Sequence, residues 1–155
     1  IRPNVALSRN RNRDFVFQRD GELQELGDTH ISFSPDIIVG NVLIYQPKEN
    51  LQLSLLTKFV GEQYMGNIDS EGSKLDSYSQ TDFNVQYEIN TNGFVKSIVL
   101  SGLVNNIFDC LYVSNGYFYT FDDDYSMPGA VTTYEGAGYY PQAGINFLLG
   151  ASIGF

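Results

Sequence analysis

Between residues 81 and 89 the chain reads TDFNVQYEI, and its two parities differ in character. Thr81, Phe83, Val85, Tyr87 and Ile89 fall on one, Asp82, Asn84, Gln86 and Glu88 on the other. A period of two sends alternate side chains to opposite faces of an extended strand. Leu51, Leu53, Leu55, Thr57 and Phe59 repeat the pattern against Gln52, Ser54 and Lys58. At the end of the chain Ile145, Phe147, Leu149, Ala151, Ile153 and Phe155 form one face. Asn146, Gly150, Ser152 and Gly154 form most of the other, with Leu148 as an exception. Helical spacing is scarce. The pattern predicts six strands, over roughly 3–18, 31–46, 51–65, 75–89, 94–109 and 140–155. Each is far longer than the five or six residues usual in soluble proteins.

The connections alternate in length. Residues 47–50 (PKEN) and 90–93 (NTNG) read as tight turns, with Pro47 presetting φ and Asn92 and Gly93 tolerating positive φ. The other three, about 19–30, 66–74 and 110–139, read as long loops. Short turns at one end and long loops at the other are the asymmetry of outer-membrane barrels. The expected fold is therefore all-β: about six long antiparallel strands in meander order, the closing part of a large transmembrane β-barrel.

Composition narrows the partners. The net charge of −9 argues against nucleic acid. One cysteine, Cys110, excludes an internal disulfide and a site built on several thiolates. No apolar run is long enough for a spanning helix, which leaves strands of about 9–11 residues as the only way across a bilayer. The chain opens on Ile1 within an alternating stretch, so it reads as a segment of a longer protein.

Three stretches, FSPDIIVGNVLIYQPKENLQLSLLTKFVGEQYM, GLVNNIFDCLYVSNGY and YYPQAGINFLLGASIGF, together resemble the C-terminal end of a TonB-dependent outer-membrane receptor of the SusC-like group. The similarity spans nearly the whole chain. Its most specific parts are Val104 to Asp109 with Tyr112 following, and Pro141 to Phe155. The resemblance implies the last six strands of a wide barrel, without its plug domain, in the Gram-negative outer membrane. It implies import of a glycan, iron chelate or vitamin, driven through the TonB system, with a surface lipoprotein as a possible partner. It makes Asn105, Asn106, Phe108 and Asp109 a structural signature. It also gives the last strand a role, as the signal read by the barrel-assembly machinery, with Gly150, Ile153 and Phe155 fitting its pattern. Leu148 and Ile145 depart from that pattern.

Other residues carry expectations of their own. Tyr64, Tyr78, Tyr87, Tyr112, Tyr139 and Tyr140 lie near predicted strand ends, where aromatic girdles meet outer-membrane lipid; the alternative is that Tyr simply favours strands. Arg9, Arg11 and Arg13 share a parity with Val5 and Leu7. Arg11 and Arg13 would reach lipopolysaccharide phosphates near the top of a tilted strand; the alternative is that these arginines face the lumen or are solvated. Tyr117, Phe118, Tyr119 and Tyr134 in the longest loop would face a glycan or other small-molecule ligand, or pack the loop. Asp122, Asp123 and Asp124 read as a solvated acidic run rather than a calcium loop. With one histidine, His30, no acid–base, nucleophilic or metal constellation is evident, so no enzyme activity and no cofactor are expected. A soluble all-β carbohydrate-binding module is the competing reading, because a half-buried strand alternates in the same way.

Overall fold

The computed structural model describes residues 1–155. In chain order its strands are β1 (Arg2–Leu7), β2 (Arg11–Arg19), β3 (Glu22–His30), β4 (Ile37–Lys48), β5 (Leu51–Val60), β6 (Gln63–Tyr64), β7 (Lys74–Leu75), β8 (Tyr78–Asn90), β9 (Ser97–Asn105), β10 (Val113–Asp123), β11 (Thr132–Pro141) and β12 (Asn146–Gly154). The only helical element is one 3-10 turn, Glu71–Ser73. Six strands form a single antiparallel meander in the order β1-β4-β5-β8-β9-β12. The other six form three two-stranded hairpins: β2–β3, β6–β7 and β10–β11. All three hairpins leave the sheet at one end; the two short connections, at 49–50 and 91–96, lie at the other.

The six meander strands match the six expected, with shifted ends. Two of the expected loops are corrected. Residues 19–30 are not a loop: Asp20 and Gly21, with φ of 54° and 79°, make a two-residue turn that joins β2 to β3. Residues 110–139 likewise hold the ten-residue pairing of β10 with β11. The expected strand 3–18 breaks at Ser8–Asn10, where Ser8 donates its last ladder bond to Asp36 and the chain departs from β4. The expected start at residue 31 moves to Ile37, because Phe33 takes a positive φ of 53° and Pro35 has no donor. Asn106 and Asp109, with φ of 51° and 50°, end β9 before residue 109.

Register fixes the faces, since directly opposed residues point the same way. Leu55 opposes Phe83, and Phe83 opposes Val104, which opposes Phe147. One row nearer the short turns, Leu53, Val85, Gly102 and Leu149 align, followed by Leu51, Tyr87, Leu100 and Ala151. On β1 and β4, Val5 faces Val39 and Leu7 faces Ile37. One polar row, Asn41, Thr57 and Thr81, crosses this face, and the two threonine hydroxyls bond at 3.1 Å. The opposite face is mixed and mainly polar: Gln52 opposes Gln86, Ser54 opposes Asn84 and Lys58 opposes Gln80. Leu148, the exception in the terminal strand, lies on that face opposite Leu103 and remains exposed.

The sheet has no second layer over its apolar face. Only 11 of 155 residues are buried, and just three of these, Val60, Met65 and Leu75, are hydrophobic. All three sit where residues 61–77 leave the sheet. The accessible surface is 10464 Å², against about 7,900 Å² for a compact monomer of this mass. Leu149, Phe147, Leu7 and Val5 are among the most exposed apolar side chains. The outer edges of β1 and β12 are unpaired.

Candidate functional site

The three excursions, 8–36, 61–77 and 106–145, pack against one another beyond the sheet. His30 meets Asp69 twice: its backbone N–H donates to Oδ1 at 2.9 Å, and its Nδ1 lies 3.0 Å from Oδ2. The Ser32 N–H donates to Asn67, and the Phe33 N–H to the Tyr64 carbonyl. At the centre Glu135 of β11 accepts from Arg19 of β2 through one carboxylate oxygen and from Ser70 through the other. A single side chain thus joins all three excursions. Asp20 and Thr133 add a reciprocal pair, backbone N–H to hydroxyl at 2.7 Å and backbone N–H to carboxylate at 2.8 Å.

The turn that closes β9 is a second hub. Asn106 is 1% exposed. Its amide donates to the carbonyls of Cys110 and Ala143, at 2.9 and 3.3 Å, and its oxygen accepts the Cys110 N–H at 3.0 Å. Its own backbone N–H donates to Asp82 of β8 at 2.8 Å. Asp109 accepts the Ile145 N–H at 2.8 Å, and Asn105 donates to Asn146 at the same distance. Asn and Asp are suited to this turn, because they tolerate left-handed backbone and bond their neighbours' main chain. Phe108 stands exposed outside the turn, and Cys110 is half-buried and unpaired.

The residues expected to face ligand are strand residues, and they divide. On β10–β11, Tyr117, Tyr119 and Phe121 point one way with Tyr134 and Tyr140 of the partner strand, as the pairings Phe121–Tyr134 and Asn115–Tyr140 require. Phe118 points the other way and lies against Gly66, so it packs the loop layer, the alternative expected for these aromatics. Phe121 and Tyr140 share the face of Tyr117, Tyr119 and Tyr134. Asp122 and Asp123 also point to opposite sides. Asp122 accepts from Gln18 and Thr133, and Asp123 from the Tyr125 and Ser126 N–H groups. No group of three His, Cys, Asp or Glu side chains converges anywhere in the chain.

The tyrosines near strand ends also separate. Tyr78 stacks on Tyr112 at 4.4 Å, whose hydroxyl donates to Gln80. By register Tyr78 and Gln80 lie on the mixed face, so this pair does not border the apolar one. Tyr64 packs on His30, and Tyr139 donates to the Gly72 carbonyl. Only Tyr87 of the six lies on the apolar face near the short turns. There Tyr45 stands one row from it, and Phe94 meets Phe155 at 5.2 Å. The terminal Phe155 thus closes an aromatic rim that includes Tyr45 and Phe94, two residues not singled out from the sequence. Gly150 and Ile153 sit on the edge strand β12, opposite Ser101 and Ile98 of β9.

Arg9, Arg11 and Arg13 line one cleft with Asp28, but Arg11 is already engaged. It donates two bonds to Asp36, at 2.9 and 2.7 Å, and is not free for a lipid phosphate. The hydrogen bond from Arg11 holds the Asp36 carboxyl below its ordinary range. A depressed carboxylate adds stability above its unfolded pKa, near 4, that is lost as pH falls through the folded value. Protection of the β2–β3 amides, taken relative to their intrinsic exchange rates at each pH, should therefore fall below about pH 4 in the native protein. In Asp36→Asn the loss of protection should be present already at neutral pH, by up to about fivefold, as suits a partly exposed pair. Unchanged exchange in that variant would mean the pair holds nothing.

The chain matches no protein-family model, and no curated protein or solved structure is significantly similar to it.

Proposed function

We propose that this chain forms the closing strands of an outer-membrane β-barrel of the TonB-dependent receptor kind, and takes part in importing a nutrient. The observation that carries the reading is the single-layer sheet: one face is aliphatic and aromatic apart from the Asn41–Thr57–Thr81 row, nothing in the chain covers it, and the other face is mixed and mainly polar. Acyl chains would cover the first and a water-filled lumen the second. Three further features support it. Long excursions leave one end only, aromatic side chains rim the other, and both sheet edges are open for further strands of the same barrel. In this reading β12 carries the signal to the barrel-assembly machinery through Gly150, Ile153 and Phe155. The plug and the segment that engages the TonB system belong to other parts of the protein, and a surface lipoprotein would meet the long excursions.

The competing soluble module needs a second sheet over the apolar face, as in a sandwich. The three hairpins pack on each other instead. Spin labels on single cysteines separate the two readings, placed at residues 83 to 88 of β8 in the full-length protein in purified outer membranes, on a Cys110→Ser background. Labels at 83, 85 and 87 should be relaxed by oxygen, which partitions into lipid, and those at 84, 86 and 88 by an aqueous nickel chelate. Labels at 83, 85 and 87 shielded from both reagents would end the membrane reading and favour the sandwich.

A further inference from the structure

We propose that the open face of the β10–β11 hairpin is a stacking platform for a linear, uncharged oligosaccharide. This names the ligand class for the import reading and rests on it. Five rings form the stripe. Tyr117 lies 6.1 Å from Tyr140 and 6.3 Å from Tyr119; Tyr119 lies 6.4 Å from Phe121, and Phe121 lies 5.4 Å from Tyr134. The planes of Tyr117 and Tyr119 are within 18°, those of Tyr119 and Phe121 within 24°, and those of Phe121 and Tyr134 within 22°. Each ring remains 48–54% exposed.

The floor explains how the rings lie flat. Gly138 opposes Tyr117 and Gly136 opposes Tyr119. A Cβ on either glycine would collide with the facing ring. Without those methyl groups the phenols recline across the partner strand and present their faces, not their edges. The back of the hairpin is fastened by Phe118 on Gly66, Tyr139 on the Gly72 carbonyl, and the Glu135 junction. The platform is thus rigid before a ligand arrives, which lowers the ordering cost of binding.

The chemistry selects the ligand. Four near-parallel, half-exposed rings, with Tyr140 tilted by 52° beside Tyr117, suit a chain of flat-faced units that stack on successive rings. Two such chains are common, nucleic acid strands and glycans. The overall charge of −9, with Asp124 exposed just beyond Phe121, repels a polyanion and leaves the neutral sugar chain. A membrane girdle is disfavoured by direction. Girdles run around a barrel, whereas this stripe climbs along one hairpin, rising about 14 Å from Tyr117 to Phe121. The phenol hydroxyls and the amide of Asn115, which shares their face, supply polar contacts for sugar hydroxyls.

The test is calorimetric titration of the purified full-length protein with malto-, cello-, laminari- and xylohexaose, their disaccharides, and single-stranded oligothymidylate. At least one hexaose should bind, its disaccharide about tenfold or more weakly, and oligothymidylate not at all. Tyr119→Ala should weaken hexaose binding about tenfold or more, and Tyr119→Phe about threefold or less. Gly136→Val, which keeps every ring but lifts Tyr119, should behave like Tyr119→Ala. Normal outer-membrane levels check that the variants fold. Failure of all four hexaoses, preference for oligothymidylate, or hexaose binding untouched by Tyr119→Ala overturns the platform. The labelling pattern on β8 is independent of these variants. If it shows a lipid face while the titrations fail, only the platform falls. If hexaose binds while β8 shows no lipid face, the membrane reading falls.

Discussion

Replacing Asn106 by alanine is expected to destabilise the chain by about 3–5 kcal/mol, the largest effect of any single truncation here. Two carbonyls and one N–H lose a side-chain partner that is itself 1% exposed; the Cys110 pair is half-buried, while Ala143 lies at the surface, where water can replace the lost bond. Each buried polar group left without a partner costs about 1–3 kcal/mol. The left-handed backbone at φ 51° adds about 1–2 kcal/mol for a residue with a Cβ and no local side-chain bond. Asn106→Gly separates the two causes. It loses the same hydrogen bonds but accepts the backbone, so it should be more stable than the alanine variant by that second amount. Urea unfolding of the full-length protein reads the first difference. Trypsin cleavage within 106–145 reads the local opening. Equal stability of Asn106→Ala and the native protein would show that the turn does not depend on this amide.

The second large effect sets two adjacent residues against each other. Phe83→Arg places a charge mid-strand on the apolar face, in the row of Leu55, Val104 and Phe147. If acyl chains cover that face, the cost is about 2–4 kcal/mol, the range for arginine at the bilayer midplane. Asn84→Arg puts the same charge one residue further on the mixed face, opposite Ser54 and Leu103. That change should cost less than about 0.5 kcal/mol. Unfolding midpoints in lipid vesicles, together with outer-membrane yield, measure both. Similar losses for the two variants would mean that neither face meets lipid.

The strands with one polar side were legible in the sequence. β8 alternates cleanly, β5 and β12 do so except at Leu56 and Leu148, and each sits in the sheet on the parity read from its residues. What was missed has particular causes. The Asp20-Gly21 pair is a strong hairpin signal, yet the hydrophilic stretch around it lacks an apolar face, so periodicity gave no strand there. In β10 the run Tyr117-Phe118-Tyr119 puts aromatic groups on both sides, which hides the period of two, and only the partner strand reveals which rings belong together. Asn106 was visible as a turn former, but its bond to Ala143 spans a sequence separation that no local pattern reports. Glu135 carried no signal: its role depends on Ser70 and Arg19 arriving from two other excursions.

The Glu135 junction lies on the underside of β10–β11, while the reclining rings lie on top. Adhesion between the excursions and contact with the outside world are therefore assigned to separate surfaces of one ribbon. Rings on the upper surface can be exchanged for others, and taste for a new ligand acquired, while the fastening beneath is left untouched.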